Sequence, residues 1–260
     1  MENDEYKISY DLEESYWWFV GKQFLVRDNF KRLAINSFNN DKILDIGCGT
    51  GIVLKILKNF GTSFGMELSS EAIHFLIRRD LKLIARSDAN QSIPFKNHTF
   101  AAITCLDVLE HLDNDLTLLR EAVRVCKPGG KILITVPAFD ILWSAHDEAL
   151  HHKRRYTRKQ ILKKVCPLNC TVIKASYYNT CLFLPIFTFR KLRLFLSKKK
   201  HARSDFFLPL PEWINKMLIL LYTAELKLLR YFSFPFGVSI LLILQKLELD
   251  KTDNEKIDRK

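Results

Sequence analysis

Apolar residues in the first half of the chain fall into short runs that alternate with stretches of helical spacing. Lys42-Ile43-Leu44-Asp45-Ile46 has the pattern of a buried strand running into a glycine cluster. Residues 51–59 follow with Ile52, Ile56 and Phe60 on one helical face, and Ser63-Phe64-Gly65-Met66-Glu67 predicts a second strand. Ser69 or Ser70 offers an N-cap to a helix carrying Ala72, Ile73, Leu76 and Ile77. Leu81-Lys82-Leu83-Ile84 predicts a third strand and Phe100 to Leu106 a fourth. Leu116, Leu119, Val123 and Cys126 then line a helix that Lys127-Pro128-Gly129-Gly130 stops, and Lys131 to Val136 predicts a fifth strand. Strands alternating with helices predict a parallel, doubly wound α/β sheet. Further on, residues 171–178 and 238–244 are strand-like, and a helical, apolar and basic segment lies between them.

Charge changes this picture in one place. The net charge is +11, yet the first 149 residues are acidic on balance. The excess sits in residues 150–203, which hold fifteen lysines and arginines and no acid. The start, Met1-Glu2-Asn3-Asp4-Glu5, is acidic with no apolar run behind it, so a secretory signal is not expected. The longest uncharged stretches, 175–189 and 231–245, fall short of the roughly 18–20 residues that span a bilayer. A cytoplasmic protein, in peripheral contact with a membrane at most, is expected. Six cysteines without paired CxxC spacing argue for buried free thiols rather than zinc or disulfides.

The chemistry concentrates at Leu44-Asp45-Ile46-Gly47-Cys48-Gly49-Thr50-Gly51, a strand-to-helix turn. Glycines there let the backbone take positive φ and approach a ligand closely. Glycine turns also serve dinucleotides and phosphates, and the acids decide between these ligands. Asp45 would repel a pyrophosphate, which disfavours an NAD-dependent dehydrogenase. Glu67 closes the second strand where an acid can take a ribose diol, and Asp88 and Asp107 follow the third and fourth strands. Carboxylates at adjacent strand ends suit a cofactor with an amino group and a sulfonium rather than phosphates.

On these residues the sequence resembles the class I S-adenosylmethionine-dependent methyltransferases, over about residues 40–137. The resemblance implies a seven-stranded sheet of order 3-2-1-4-5-7-6 with the last strand antiparallel. It also implies S-adenosyl-L-methionine as cofactor. Gly47, Cys48, Gly49 and Gly51 would pass under its methionine part, Asp45 would help hold the amino group, and Glu67 would bind the ribose hydroxyls with Leu68 against the adenine. Asp88 and Ala89 would meet the adenine amine, and Leu106 and Asp107 would border the reacting methyl. The domains then read as an aromatic helical lid (1–40), a cofactor-binding core (41–180), a basic and apolar helical insertion between strands six and seven (181–232), the last core strand (233–249) and a frayed tail (250–260).

A further likeness, to methyltransferases found beside sugar- and lipid-modifying enzymes, covers Tyr16-Trp17-Trp18-Phe19 and the segment from Val136 through Trp143 and His146 to Tyr156. Trp17 and Trp18 diverge on a helix, so one is expected to anchor it and the other to close over the site. His146, His151 and His152 are candidates to take a proton from a hydroxyl acceptor, His146 first because it lies nearest the fifth strand. His152, Arg154, Arg155 and Tyr156 are candidates for acceptor binding, the two arginines as a clamp on a phosphate or carboxylate. Asp107-Val108-Leu109-Glu110-His111 is similar to the Glu-x-x-Glu-His metal cluster of some quinone-pathway O-methyltransferases, but with Asp first, and no metal is expected. These features point to methyl transfer onto a small or lipid-linked, anionic acceptor. RNA methylation along the basic segment, or a non-catalytic cofactor-binding scaffold, is the alternative. Against RNA, the cations are interleaved with Leu, Phe and Ile at helical spacing, so nucleic acid is not the expected partner. An anionic membrane surface is, through Phe183 to Lys200 and a second element from Phe206 to Tyr222.

Overall fold

The structure, a computed structural model, describes residues 3–35, 41–196 and 210–248. In chain order the elements are α1 (Asn3–Leu12), α2 (Trp17–Arg32), β1 (Lys42–Ile46), α3 (Ile52–Leu57), β2 (Thr62–Glu67), α4 (Ser70–Arg78), β3 (Ile84–Arg86), β4 (Phe100–Leu106), α5 (Asp115–Val125), β5 (Cys126–Pro137), α6 (Ala145–Ala149), α7 (Arg158–Val165), β6 (Cys170–Tyr178), α8 (Phe183–Leu196), α9 (Glu212–Leu228) and β7 (Ser239–Lys246). The strands form one sheet of order β3-β2-β1-β4-β5-β7-β6. The first five run parallel, and β7 runs antiparallel to both β5 and β6. This is the expected topology, down to the reversed last strand.

The central strands are near-continuous apolar runs because helices cover both faces of a parallel sheet. Ile43, Leu44 and Ile46 of β1 are fully buried, as are Ile240 to Leu244 of β7. Register fixes the functional edge. Asp45 pairs with Gly65 of β2 and with Thr104 of β4, so the residues after β1, β2 and β4 emerge side by side. Pro137 at the end of β5 faces Ser239 at the start of β7, and the reversed strand thus brings its first residues to the same edge.

Several local expectations shift. The third strand begins at Ile84, because Leu81 is still bonded through its amide to Leu76 O and packs inward with Leu54 and Leu76. Ile77 points to solvent and Phe75 takes its place in the core; Ser69 is the cap, accepting from Ala72 N at 3.3 Å. The fifth strand starts at Cys126, where the chain pairs with Phe100 as soon as α5 ends. Cys48, Cys105 and Cys126 are buried thiols, but Cys166, at the end of α7, and Cys181, in the turn before α8, are exposed.

Between β6 and β7, α8 and α9 make the helical insertion. Tyr222 of α9 is buried against Leu25, Val26 and Phe30 of α2, which corrects its expected place in an interfacial element. The crossing is close enough that a Cβ on Gly21 would stand 2.0 Å from the Tyr222 ring, so glycine is required there. The expected lysine run at 198–200 and the residues 206–209 lie outside the described residues.

Candidate active site

One cavity of about 470 Å3 opens along the carboxyl edge of the sheet. That volume suits a cofactor-sized ligand. One end is built on the glycine turn. Gly47, Gly49 and Gly51 all have positive φ, and a Cβ on Gly47 would press within 2.5 Å of Val108. The amides of Gly47 and Cys48 donate to Met66 O at 2.8 and 3.1 Å, tying the turn to the end of β2.

Among the described residues, Glu67 is held by main-chain amides. Its Oε2 accepts from Gly49 N at 2.9 Å, and its Oε1 accepts from Leu68 N at 2.9 Å and Ser69 N at 3.0 Å. The carboxylate is therefore fixed before any ligand arrives, with acceptor capacity left for a diol. Asp45 is buried beneath the turn and accepts from Thr104 Oγ1 at 2.6 Å. Burial pushes its carboxyl up to about 7, the Thr104 hydrogen bond opposing and the nearby Glu67 charge adding to the rise. A cationic amino group would restore its charge. Leu68, Ser87, Asp88, Ala89 and Leu106 complete this end. Asp88 also accepts from Asn90 N at 2.8 Å, which shapes its loop.

The N-terminal segment closes the cavity from outside. Tyr6, Ser9 and Glu13 line it, and Glu13 accepts from Thr50 Oγ1 at 2.6 Å while pairing with Arg79. Sequence reading passed over Glu13; its only signal is an acid inside an aromatic opening. Trp18, Phe19 and Lys22 reach the cavity from α2, and Lys22 pairs with Asp107. Burial works against the Asp107 charge, but Lys22 and a 2.8 Å bond from Thr135 Oγ1 outweigh it and lower its pKa. Trp17 is not among the lining residues. Its amide donates to Asn215 Oδ1 at 2.8 Å and its ring packs against Tyr222.

The other end collects Glu110, His111, His146, Leu150, His152, Arg155, Arg190 and Ser239. Asp147 organises it. Its carboxylate accepts from Ser144 N at 2.9 Å, closing a capping box on α6, and meets His152 Nδ1 at 2.9 Å and Arg155 Nε at 2.8 Å. Burial opposes the Asp147 charge, yet these partners hold it well below the usual carboxylate range. Ser144-x-x-Asp147 is a capping pattern visible in the sequence and was the available signal for this residue.

Some expected residues stand elsewhere. His151 is an exposed turn residue with φ of 55° outside the cavity. Arg154 donates to Asp113 O at 3.1 Å, and the Tyr156 hydroxyl donates to Asp115 Oδ2 at 2.7 Å; neither lines the cavity. Arg155 does line it, but its guanidinium is spent on Asp147 and on Ala138 O at 2.9 Å, so it cannot clamp an acceptor as expected. These three basic and aromatic side chains are drawn inward because buried Asp115 and Asp147 need partners.

Glu110 is fully buried, and neither carboxylate oxygen has a hydrogen-bond partner among the described residues. Burial, then the Asp107 charge, pushes its pKa well up. Burial and the neighbouring His152 push His111 down to about 3. Glu110, His111 and His152 offer ligand atoms within 4.8 Å of one another, a set of hard and imidazole donors that a divalent ion would accept.

The sequence profile of a methyltransferase domain matches residues 21–171. A ubiquinone biosynthesis O-methyltransferase of Aliivibrio fischeri is 26% identical over 134 residues, covering 46% of this chain and 57% of that protein. The chain thus spans little more than half the length of this relative. An uncharacterized protein of Methanocaldococcus jannaschii is 27% identical over 180 residues, covering 66% of this chain and 82% of its own. Among solved structures, the geranyl diphosphate C-methyltransferase of Streptomyces coelicolor, crystallised with S-adenosyl-L-homocysteine, has a TM-score of 0.55 at 17% identity, with 85% of this chain and 76% of that chain covered. The [4+2]-cyclase SpnF has a TM-score of 0.58, also at 17% identity, with 90% and 87% covered. A cyclase among the neighbours illustrates that likeness at this level carries the fold and not the reaction.

Proposed function

The chain belongs to the methyltransferase domain family, whose class I members use S-adenosylmethionine, and we propose that it methylates an oxygen of a small or lipid-linked, anionic acceptor. The observation that carries this reading is the joining of two differently built ends in one cavity. The cofactor supplies a methyl group on a sulfonium. Glu67, Asp45 and the glycine turn bind and orient it, with Leu68 and Ala89 beside the adenine. Much of the rate of such an in-line displacement comes from positioning.

At the other end His152 is the base. Its Nδ1 is engaged by Asp147, which leaves Nε2 to take the acceptor proton as oxygen attacks the methyl carbon and the carbon–sulfur bond breaks. His146 lines the same end, with its ring 6.1 Å from that of His152, and serves to position the acceptor. Arg155 and Arg190 share the one Asp147 carboxylate, an excess of positive charge that supports an acceptor with negative charge without contact from Arg155. The Aliivibrio relative is by name an O-methyltransferase, which supports oxygen as the atom.

An RNA acceptor is less well supported, because Lys153, Arg154 and Lys164 are paired with Asp113 and Asp115 rather than free for phosphates. A lipid-linked acceptor requires work at a membrane surface, and among the described residues no helix is long and apolar enough to cross one. The test is incubation with radiolabelled S-adenosylmethionine and an extract of the source cells, followed by fractionation. Label is expected in the lipid or small-molecule pool; label confined to RNA would replace this reading.

A further inference from the structure

The helix α9 has two unlike faces. Tyr222, Glu225 and Leu226 turn inward, and Glu225 holds the turn before α8 by accepting from Thr180 N at 2.9 Å and Cys181 N at 3.1 Å. The opposite face carries Trp213, Met217, Leu220, Ala224 and Leu228 at helical spacing, all exposed, with Trp213 at 68% and Leu220 at 70%. Tyr231 and Phe232 follow, also exposed. On α8, Arg190 points into the cavity while Leu184, Phe189 and Leu192 face solvent beside exposed Lys191. Single exposed apolar residues are ordinary on a protein surface, but a stripe along a whole helix marks a binding face.

Charge identifies what it binds. Lys191 and Lys227 border these apolar positions, and the one acid at the head of α9, Glu212, is neutralised by Lys216 at 2.6 Å. The chain leading into α8 and through it, residues 150–203, contains no acid at all. A second copy of the chain would set one such basic segment against another across a two-fold interface. An anionic lipid surface satisfies both features, taking apolar side chains at the headgroup boundary and cations at the phosphates.

Position gives the face a purpose. Arg190 lines the acceptor end of the cavity, and Asn215 of α9 holds the amide of Trp17, next to the cavity-lining Trp18. Helix α8 thus lines the cavity through Arg190, and α9 stands one layer behind its wall, with the Tyr222 ring 6.1 Å from that of the lining Trp18. We infer that the outer faces of α8 and α9 dock on an anionic lipid surface and bring the acceptor end of the cavity to a lipid-linked hydroxyl. The identity of the acceptor rests on the methyl-transfer reading; the docking itself does not.

Co-sedimentation of the full chain with phosphatidylcholine vesicles, with and without phosphatidylglycerol, tests it. Binding is expected to the anionic vesicles, about tenfold or more above the neutral ones, and to weaken as salt is raised. The double variant Met217→Ser, Leu220→Ser should lose about tenfold or more of that binding. Its affinity for S-adenosylhomocysteine, measured by calorimetry, should be unchanged, which shows that it is folded. Equal binding to both vesicle types, binding to neither, or an undiminished double variant overturns the inference. A dimer that the double variant turns into a monomer, without vesicle binding, assigns the face to a second copy instead. Failure of the wild type to bind S-adenosylhomocysteine strikes the methyl-transfer reading and leaves the vesicle result standing.

Discussion

At the cofactor end of the cavity Glu67 is placed by three backbone amides, whereas at the acceptor end His152 is placed by a carboxylate that the Arg155 side chain and the Ser144 amide also hold. The first kind of site depends on how the chain turns after β1 and β2. The second depends on residues from α6, the following loop and α8 meeting around Asp147. A main-chain site tolerates change in its surroundings and binds a constant ligand. A side-chain network can be re-specified by a few substitutions, which suits the part of the enzyme that selects an acceptor.

The comparison predicts different failures. Replacing His152 with Ala should slow methyl transfer into the labelled extract pool by roughly 10²–10⁴ while leaving S-adenosylhomocysteine affinity intact. An unchanged rate would remove the base from the acceptor end, as would a loss confined to cofactor binding.

Asp147→Ala is expected to act on stability instead. It leaves Arg155 and Arg190 buried without their carboxylate, a loss of about 3–5 kcal/mol for a broken buried pair. Denaturant unfolding measures this. A change below about 1 kcal/mol would mean that the network is solvated and weak.

The cofactor end should respond to pH more gently. Asp45, raised to about 7 by burial, is neutral below that value in the free protein and ionised above it. A ligand ammonium favours the ionised form, so affinity should rise with pH across this range. Because the folded-state pKa lies above the unfolded one, stability falls as pH climbs from the usual carboxylate range toward 7, where the unfolded chain has released the proton that folded Asp45 keeps. Calorimetry with S-adenosylhomocysteine should show affinity about tenfold weaker at pH ~6 than at pH ~8. A flat profile would show that Asp45 does not meet the amino group.

The same contrast explains how far the sequence could be read. The alternating strands and helices, the glycine turn, Asp45 and Glu67 were legible because local spacing dictates them: a strand, a turn that demands positive φ, and an acid at the next strand end; the strand order came from the resemblance. Residues 146–156 were candidates by residue type alone, without geometry. His152 and Arg155 face the cavity while His151, Arg154 and Tyr156 do not, and the difference comes from Asp115 and Asp147, two acids buried far from them in sequence or spent in a cap. Glu13 was missed for the same reason, since its partners Thr50 and Arg79 meet it only in the folded chain. Of the segment expected at a membrane surface, Tyr222 is in the core, while Trp213, Met217 and Leu220 of α9 are exposed.

The central claim is that a preformed carboxylate at the end of β2 holds an S-adenosyl cofactor, and calorimetry on Glu67→Ala tests it most directly. Loss of this charged acceptor should weaken S-adenosylhomocysteine binding by about 1.5–3 kcal/mol, roughly ten- to a hundredfold, with NAD giving no binding to either protein. Equal S-adenosylhomocysteine affinity in the wild type and in a folded Glu67→Ala protein would contradict the account.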